Sequence, residues 1–584
     1  MSDFRFSPRP NRANEIAWMP WGAAAFERAR SEDKPVLLSI SAVWCHWCHV
    51  MDETSYSDST AIATINQRYV PVRVDNDRRP DVNARYNMGG WPTTAFLTPD
   101  GQILTGATYL PPHQLNRALE DIANFYASNK QSIAERPAPA ATQFSPSPEL
   151  RLEATIPQRL VDAMSANFDD EYGGFGDAPK FPQPDLLEFL LQEWRAAGNE
   201  RCYEMVRATL LGMSQGGTYD HVEGGFFRYS TTRDWSIPHF EKMAEDHAGL
   251  LRVLAQLELL RPTREIRAAL VSSIRYIRTT LRDPQTALFA GSQDADEAYF
   301  ELPLEQRRER QEPFVDRTSY TNWTCGLAGA LLYAGRTLED DALLREGCET
   351  LDAIAAHAID ADGFAFHVIR PGDAPEVRGL LTDQVAYLRA CIDAHEVTGE
   401  TRFLRRASDL AKRIIATFQA PDGGFFDRIE FEDSVGRLQL DDRPMAENGT
   451  LAECLLRLNA LTFDDDYRDV AVRALQIFAP GFERAGSFAA TFARAVRRLT
   501  SLHFTLRIVG PAADGEPFRE AASRLPTIAG VGTVLPDDAA AAGLPGEPVP
   551  AAYACTETTC GPSLTDPGAV PAAFDRLAAA GSPR

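Results

Sequence analysis

Two kinds of hydrophobic pattern follow each other along this chain. In its first quarter, short apolar runs rich in β-branched residues alternate with polar segments, as in PVLLSIS at 35–41 and YVPVRVDND at 69–77. Further along, apolar residues recur every three or four positions, as in DLLEFLLQEW at 185–194. The first pattern is typical of buried strands, and the second of amphipathic helices. We therefore predict an α/β domain followed by an all-α domain.

The α/β part has a recognisable order of elements: strand, helix, strand, helix, hairpin and helix. Its hairpin, GGWPTTAFLTPDGQIL at 89–104, opens at Pro92, where a missing N–H removes no bond from a central ladder. A helix from about residue 112 to 135 follows. This is the order of a thioredoxin fold, with Trp91-Pro92-Thr93 as its cis-proline loop. We predict a thioredoxin-like domain over residues 1–135.

A stretch rich in Pro, Ala and Ser predicts a linker over residues 136–150. About twelve amphipathic helices follow, punctuated by Gly-Phe segments such as VEGGFFRYS at 222–230 and APDGGFFDR at 420–428. Because a lone helical hairpin cannot bury its apolar face, six hairpins closed into an (α/α)6 barrel over residues 151–500 explain this repeat. An open helical solenoid has the same pattern, since periodicity does not report closure.

The final segment, residues 501–584, changes pattern again. It contains a strand at 503–511, a helix at 516–525 and a strand at 530–537. This order predicts a small C-terminal α/β segment. The predicted protein is thus multidomain.

Composition narrows the range of partners. The 584 residues carry a net charge of -23, and a surface that repels phosphate loses the counterion-release contribution to nucleic-acid binding. The N-terminus shows no apolar signal region, and no stretch approaches the roughly 20 apolar residues that a membrane helix needs. Nine scattered cysteines fit reduced thiols better than a disulfide framework. We expect a cytoplasmic protein with no nucleic-acid and no membrane partner.

The sequence WCHWCHVM at 44–51 fits three chemistries: haem attachment, zinc binding and a redox dithiol. Haem attachment normally follows export, for which no signal is visible. The two cysteines and two histidines are too crowded to complete one zinc tetrahedron, and no second CxxC is present in the chain. We therefore favour the dithiol and expect no metal and no cofactor.

In the dithiol interpretation, Cys45 lies where a strand passes into a helix. Unpaired N–H groups and the helix dipole favour a thiolate there, and a protonated His46 adds to the effect. Cys45 is the predicted nucleophile and Cys48 the resolving thiol, acting on a disulfide-bearing protein or a low-molecular-weight thiol. The predicted neighbours of this site are His46, Trp47, His49, Trp91 and Pro92.

The all-α part carries candidate groups for sugar chemistry. His239 beside Glu241 is suited to abstract a proton next to a sugar carbonyl, as an epimerase requires. Glu241 with Asp294 or Asp296 would instead serve glycoside cleavage if the carboxyl groups lie about 5 to 9 Å apart. In the structural alternative these residues cap helices, pair charges and form ordinary turns. Further candidates are Asp220, His221, Arg228, Trp235, Lys242 and Asp246.

Three N-terminal motifs resemble those of the spermatogenesis-associated thioredoxin family: CHWCHVM at 45–51, VDNDRRPD at 74–81 and GGWPTTAFLTPDG at 89–101. DHVEGGFFRYS at 220–230 and IPHFEKMAEDHAGLL at 237–251 resemble its second domain, which is similar to six-hairpin barrels of glycosidases and N-acylglucosamine 2-epimerases. The resemblance implies a sugar ligand in the barrel funnel, contacted by the loops with the Gly-Phe turns.

The C-terminal AYACTETTCGPSLTDP also resembles the family's cysteine pair. Cys555 and Cys560 would then form a second redox pair that exchanges electrons with the first dithiol. A passive pair at a strand edge is the alternative.

The chain departs from the expected patterns at three places. The strand before the dithiol carries Ser39 and Ser41 and no acid to take up the proton of the resolving cysteine. DADEAYFELP at 294–303 and NWTCGLAGA at 322–330 replace the family's DADSEG and WNGLM, although Trp323 is retained. A pocket that is remodelled or partly lost is therefore expected.

Three functions remain open. The first is a thiol–disulfide oxidoreductase domain fused to the barrel. The second is a sugar-active epimerase, isomerase or glycoside hydrolase whose thioredoxin part is a redox sensor or scaffold. The third is a non-enzymatic protein-binding module.

Overall fold

The computed structural model describes residues 4–135, 152–370, 372–429, 433–501, 504–525, 529–546, 548–556 and 559–581. The predicted linker at 136–150 lies outside them. The chain divides into two compact units. The first comprises Met1–Gln143, Gln293–Asp296 and Asp427–Asp442, and the second comprises Phe144–Ser292, Glu297–Phe426 and Arg443–Arg584.

The first unit has alternating strands and helices. In chain order these are α1 (Ala23–Glu32), β1 (Val36–Ser41), α2 (His46–Glu53), α3 (Ser59–Arg68), β2 (Val70–Asp75), α4 (Pro80–Tyr86), β3 (Thr93–Leu97), β4 (Ile103–Ala107) and α5 (Pro112–Ala134).

The four strands form one sheet in the order β2-β1-β3-β4. β1 runs parallel to β2 and antiparallel to β3, which pairs with β4 in a hairpin. Both faces of β1 are buried, because Leu38 and Ile40 pack into one core cluster and Leu37 into the other. The Trp91–Pro92 peptide bond is cis. The predicted thioredoxin-like fold is confirmed.

The second unit is mainly helical. Its longer helices are α6 (Thr155–Ala166), α7 (Pro184–Ala197), α8 (Glu200–Gln215), α9 (Ala244–Leu260), α10 (Arg264–Tyr276), α13 (Thr321–Leu338), α14 (Asp341–His357), α15 (Leu381–Thr398), α16 (Thr401–Phe418), α17 (Met445–Thr462), α18 (Asp465–Gln476) and α19 (Ala490–Thr500). Two short helices, α11 (Glu297–Phe300) and α12 (Leu304–Arg307), precede α13. Short strands in the connections are β5 (Tyr229–Ser230), β6 (Pro238–His239), β7 (Lys242–Met243), β8 (Ser292–Gln293), β9 (Val315–Asp316), β10 (Ser319–Tyr320), β11 (Phe366–Ile369) and β12 (Glu376–Arg378).

The twelve longer helices form a closed double ring. Helices α7, α9, α13, α15, α17 and α19 each pack against the next, and α19 packs back against α7. Helices α8, α10, α14, α16 and α18 pack outside α7, α9, α13, α15 and α17, and α6 packs on α19. The predicted (α/α)6 barrel is confirmed, because an open solenoid leaves its first and last inner helices apart.

The Gly-Phe segments all occupy equivalent places in this ring. Five segments, at 171–176, 222–230, 286–296, 360–368 and 420–428, each follow an outer helix and precede the next inner helix. A short antiparallel bridge such as Tyr219 to Phe226 or Gln419 to Phe425 closes each turn. They therefore lie at the end of the barrel where the inner helices begin.

A small sheet follows the barrel. Strand β13 (Phe504–Val509) lies between parallel β14 (Ala529–Val534) and antiparallel β15 (Ala551–Cys555), with α20 (Glu516–Ser523) and α21 (Val570–Gly581) beside them. The sequence pattern predicted β13, α20 and β14 but not β15 and α21. Among the described helices, none has the combined length and apolar character needed to cross a membrane.

Candidate functional site

The dithiol lies at the junction that the sequence predicts. β1 ends at Ser41, α2 begins at His46, and Cys45 is the N-cap residue with an extended backbone. The Cys45 sulfur accepts a hydrogen bond from the backbone N–H of Cys48 at 3.2 Å. Both cysteines are buried, at 5% and 2% exposure, and neither is in a disulfide. An N–H directed at Cys45 Sγ stabilises negative charge on that sulfur.

The two histidines of the motif differ in their surroundings. His46 is half-buried, with its ring edge-on to Trp47 at 5.8 Å between centroids. The His49 Nε2 lies 3.0 Å from the carbonyl oxygen of Val43, so the ring is tied to the loop before the helix. Burial lowers the pKa of His49 below its ordinary value. His49 is therefore a neutral structural histidine near pH 7.

A buried ion pair lies beneath the dithiol helix. Asp52, one turn after Cys48, accepts two hydrogen bonds from Arg73 at 2.8 and 2.9 Å, and Ser41 Oγ lies 3.3 Å from the same guanidinium group. Burial opposes the charge on Arg73, but Asp52 outweighs it and raises the Arg73 pKa, with a smaller contribution from Cys48. A buried acid thus lies on α2 and not on β1, and it is paired with Arg73.

Aromatic rings border the dithiol. Trp44 donates to Asp77 at 2.6 Å and meets Trp91 edge-on at 5.7 Å, which holds the cis-proline loop against the motif. Trp47 is 48% exposed and packs on Tyr109 at 5.2 Å. An exposed aromatic surface beside a buried thiol suits the docking of another polypeptide.

A cavity of about 740 Å³ opens in the second unit where the inner helices begin. All six inner helices contribute to its wall. Its polar lining includes Asp185, Glu188, Glu245, Asp246, Arg252, Asn322, Thr382, Arg389, Glu447, Thr450 and Thr491. Phe181 and Phe488, exposed by 44% and 80%, supply aromatic faces. A concave site of this size with convergent polar groups is typical of small-molecule binding.

Two adjacent carboxyl groups on this wall hold their protons unusually strongly. Burial raises the pKa of Asp246 to about 6, and its Oδ2 is buried with no hydrogen-bond partner among the described residues. Burial and the neighbouring Asp246 raise the pKa of Glu245 to about 7. Glu245 is exposed to the cavity, so water screens it more than Asp246. Groups that titrate near neutrality can both donate and accept protons.

His239 and Glu241 form the close pair that the sequence suggests. Nδ1 of His239 lies 2.8 Å from the Glu241 carboxylate, which raises the His239 pKa. The His239 ring stacks on Tyr229 at 4.9 Å, and Tyr229 stacks on Phe181 at 4.7 Å. Neither His239 nor Glu241 lines the cavity itself. The stack connects the pair to the cavity wall through Phe181.

Asp220 and Lys242 form a buried ion pair that supports the local structure. The Lys242 ammonium group is fully buried and donates to Asp220 at 2.7 Å and to the carbonyl of Gly224 at 2.9 Å. Arg307 also donates to Asp220, at 2.8 Å. Burial lowers the pKa of Lys242 to about 8. The pair fixes a Gly-Phe turn through the bond from Lys242 to the carbonyl of Gly224.

The other site residues predicted in the barrel, Trp235, His221 and Arg228, make different contacts from one another. Trp235 is buried and donates to the carbonyl of Tyr172, whereas His221 is exposed and contacts the carbonyl of Gly216. The backbone N–H of Arg228 donates to the carbonyl of Glu241, and its charge acts on Asp246.

Asp294 and Asp296 belong to the first unit and do not line the cavity of the second. There Asp294 lies 3.8 Å from Arg5. Their pairing with Glu241 stays a prediction.

Sequence reasoning missed two groups at the cavity. One is Glu245, whose only signal is its place in the first turn of α9. The other is the buried pair of His367 and Asp383, 2.9 Å apart, in which Asp383 also accepts the N–H of Asn322 on the cavity wall. Spacing along the chain gives no sign of this pair.

Cys555 and Cys560 form a disulfide at the start of the loop after β15. A redox role for this pair stays a prediction. Throughout the described residues, no three or more His, Cys, Asp or Glu side chains are grouped so as to hold a metal ion.

Two protein-family models match separate parts of the chain, one in the thioredoxin-like part and one in the helical part. Residues 9–145 match the family model Thioredox_DsbH, described as a protein of unknown function, DUF255. Residues 384–500 match the model of glycosyl hydrolase family 47.

Similar solved structures come from sugar enzymes. A D-mannose isomerase is 11% identical, with a TM-score of 0.48, over 60% of this chain and 99% of its own. A cellobiose 2-epimerase from Bacillus thermoamylovorans is 14% identical, with a TM-score of 0.46, over 57% of this chain and 87% of its own. With TM-scores below 0.5, neither likeness identifies an activity for this chain.

Among curated proteins, human spermatogenesis-associated protein 20 is 27% identical over 85% of this chain and 79% of its own length. The rat protein of the same name is 37% identical over 42% of this chain and 34% of its own. Thiol:disulfide interchange protein TxlA of Synechococcus elongatus is 30% identical over 16% of this chain and 50% of its own. The chain is thus similar to spermatogenesis-associated protein 20 over most of its length, with a thioredoxin-like region followed by a helical barrel.

Proposed function

We propose that the first unit is a thiol–disulfide oxidoreductase. The observation that carries the proposal is the Cys45 sulfur at the N-cap of α2, which accepts the N–H of Cys48 at 3.2 Å. This arrangement favours the thiolate, which is the nucleophile in disulfide exchange. The similarity of part of the chain to a thiol:disulfide interchange protein supports the same activity.

The exchange proceeds in two displacements. The Cys45 thiolate attacks one sulfur of a substrate disulfide, forms a mixed disulfide and expels the other sulfur as a thiolate that takes a proton from water. Cys48 then gives its proton to water, and its sulfur attacks the Cys45 sulfur, closes the Cys45–Cys48 disulfide and expels the second substrate sulfur as a thiolate, which takes up a proton from water. Two electrons pass from the protein to the substrate.

Arg73 favours the second displacement. Its guanidinium group is buried beneath α2, and Cys48 is among the charges that raise its pKa. A cation held near Cys48 attracts the negative charge that this sulfur carries while it attacks the mixed disulfide. Asp52 orients this cation through two hydrogen bonds.

A redox titration with mass mapping of alkylated cysteines tests the proposal. We expect Cys45 and Cys48 to convert together as one two-electron couple, at a potential between about -270 and -120 mV. Cys45→Ser abolishes disulfide reduction, whereas Cys202→Ala, at a buried cysteine in the second unit, leaves it unchanged. Independent titration of the two thiols, or full activity in Cys45→Ser, contradicts the proposal.

A second activity is favoured by the carboxyl pair at the barrel cavity. Asp246 and Glu245 titrate near neutrality on the wall of a 740 Å³ cavity, beside the exposed ring of Phe181. Aromatic faces stack on sugar rings, and such carboxyl groups transfer protons next to a carbonyl or at a glycosidic oxygen. These features support a sugar-active barrel that epimerises, isomerises or hydrolyses its ligand.

Thermal unfolding with a panel of aldoses, ketoses and disaccharides tests the barrel activity. A binding sugar raises the Tm, and solvent deuterium enters C2 of the sugar if the barrel epimerises or isomerises it. Release of a reducing end indicates hydrolysis. Asp246→Asn removes the turnover, whereas Asp409→Asn, at an exposed carboxylate, retains it. No response across the whole panel contradicts a sugar activity.

A further inference from the structure

A second, smaller cavity of about 90 Å³ lies inside the ring of inner helices. Glu188, Arg252 and Arg389 line both this cavity and the larger one, so these three side chains form the wall between them. The remaining lining consists of Gln192, Arg195, Gln256, Tyr333, Glu396, Glu453, Arg457, Arg494 and Arg498. Almost every group in the lining is polar.

Positive charge exceeds negative charge around the small cavity. Six arginines line it, against the three carboxylates of Glu188, Glu396 and Glu453. Asp393, buried behind the wall, pairs with Arg252 and Arg457 and brings the acidic side to four. Asp185 lies 4.0 Å from Arg494, but it is 60% exposed and faces the large cavity. Within the small cavity, two positive charges remain in excess.

The carboxylates are already used by other guanidinium groups. Glu188 accepts from Arg389 at 2.5 Å and from Arg494, whose Nε also donates to Glu453 at 2.6 Å. Glu396 accepts from Arg457 at 2.6 Å. These contacts occupy the carboxylate groups, so some arginine N–H donors around the cavity have no carboxylate to bind.

Two of the surplus donors belong to Arg494 and Arg498. Arg494 is 1% exposed, yet its Nη2 is buried with no hydrogen-bond partner among the described residues. Arg498 Nε is likewise without a hydrogen bond, and its nearest carboxylate oxygen, on Glu453, is 3.8 Å away. Burial and the charge of Arg457 lower the pKa of Arg498, although Glu453 acts against them. Unmatched buried cations are costly unless an anion compensates them.

We propose that this cavity is a binding site for a small inorganic anion, held by Arg494 and Arg498. A water molecule would satisfy the N–H groups, but it would leave the excess charge in place. A volume of 90 Å³ admits a halide or a tetrahedral oxyanion such as phosphate and excludes larger organic anions. The bound anion reduces the repulsion between the arginines and so stabilises the wall between the two cavities.

Thermal unfolding of the full-length protein tests this proposal. Sodium gluconate, whose anion is too large for the cavity, maintains the ionic strength while phosphate or chloride replaces it stepwise. We expect a saturable rise in Tm of about 2 °C or more with at least one of these two anions. Arg498→Gln abolishes the rise, whereas Arg345→Gln, the same change at an exposed arginine, retains it.

Crystals soaked in bromide give an independent readout that does not depend on a variant. An anomalous peak within hydrogen-bond distance of Arg494 and Arg498 supports the site even if Arg498→Gln fails to fold. An unchanged Tm in all three salts, with no peak in the cavity, overturns the proposal in favour of water. A Tm rise of equal size in Arg498→Gln also overturns it, because the anion then binds elsewhere.

Discussion

At the scale of single residues, the ion pair of Asp52 and Arg73 links the dithiol helix to the sheet. Asp52 is 1% exposed on α2, and Arg73 is 4% exposed on β2. Their two hydrogen bonds join these elements beneath the Cys45–Cys48 turn. The position of the thiols therefore depends on a charged contact that neither cysteine makes.

Asp52→Asn is expected to destabilise the first unit by about 3 kcal/mol, because it leaves the Arg73 guanidinium buried without its counter-ion. Urea unfolding followed by tryptophan fluorescence measures the change. The double variant Asp52→Leu/Arg73→Met is expected to recover part of the loss, because it leaves no buried charge. If the single and double variants are equally unstable, the damage comes from packing and not from an unpaired charge.

Asp246 predicts a pH dependence of stability. Its folded pKa of about 6 exceeds the ordinary value of 3.8, so the folded state keeps the proton to higher pH than the unfolded state. The free energy of unfolding therefore falls as pH rises from about 4 to about 6. With allowance for its partial exposure, the loss is about 1 to 2 kcal/mol at pH 7.

Asp246→Asn is expected to remove this loss. Thermal unfolding between pH 4 and pH 8 shows the variant more stable than the wild type at pH 7 and equal to it at pH 4. Asp409→Asn serves as the control, because the same substitution at this exposed carboxylate is expected to leave the pH dependence of stability unchanged. If Asp246→Asn keeps the pH profile of stability of the wild type, folding does not raise the pKa of Asp246 and the prediction is wrong.

At the scale of elements, three of the Gly-Phe turns share one feature, in which a basic side chain donates to a carbonyl of the turn. Lys180 donates to the carbonyl of Gly173, Lys242 to that of Gly224 and Arg443 to that of Gly423. Positive φ angles at these turns explain their glycines. The repeated motif in the sequence therefore marks a structural support around the funnel.

Gly225 gives a direct test of these turns. It has φ +86°, and a Cβ there would lie 2.7 Å from the Tyr276 ring and 2.8 Å from His247 Nε2. Gly225→Ala is expected to cost about 3 kcal/mol, since backbone strain and a clash add together. Gly198→Ala, with φ +67° and open space around it, should cost only about 1 kcal/mol for strain. Equal losses of stability by chemical denaturation contradict the role of the clash.

At the scale of the whole molecule, the ring is closed by contacts between its first and last inner helices, α7 and α19. Arg497 donates to both oxygens of Glu193 at 2.6 and 2.5 Å, and Glu193 is 1% exposed. These residues are 304 positions apart. This long-range ion pair therefore helps to hold the barrel closed, together with the contact between Arg494 and Glu188.

Arg497→Met is expected to cost about 3 kcal/mol, because the Glu193 carboxylate then stays buried without its cation. Hydrogen exchange followed by mass spectrometry should show faster exchange in α7 and α19 together. Arg345→Met, at an exposed arginine on α14, leaves both helices unchanged. Faster exchange confined to α19 means that the pair does not hold the ring closed.

Much of this organisation can be read from the sequence, because it is encoded locally. The β-branched run before Cys45 specifies a strand, and the motif after it opens a helix, so the assignment of the dithiol to a strand–helix junction needs no knowledge of distant contacts. The twelve barrel helices follow from apolar spacing, which is also a local property. β15 was missed because its AAYAC sequence lacks the β-branched signal of a strand.

The sequence by itself determined the thioredoxin-like order of elements, the cysteine pair at a helix start and the six-fold helical repeat. Only the tertiary structure decided that the repeat closes, that Glu245 and Asp246 share one cavity wall, and that Asp52 meets Arg73. The reason is physical: strands, helices and caps are set by neighbours a few residues apart, whereas burial, charge pairing and pKa values depend on groups that chain folding brings together.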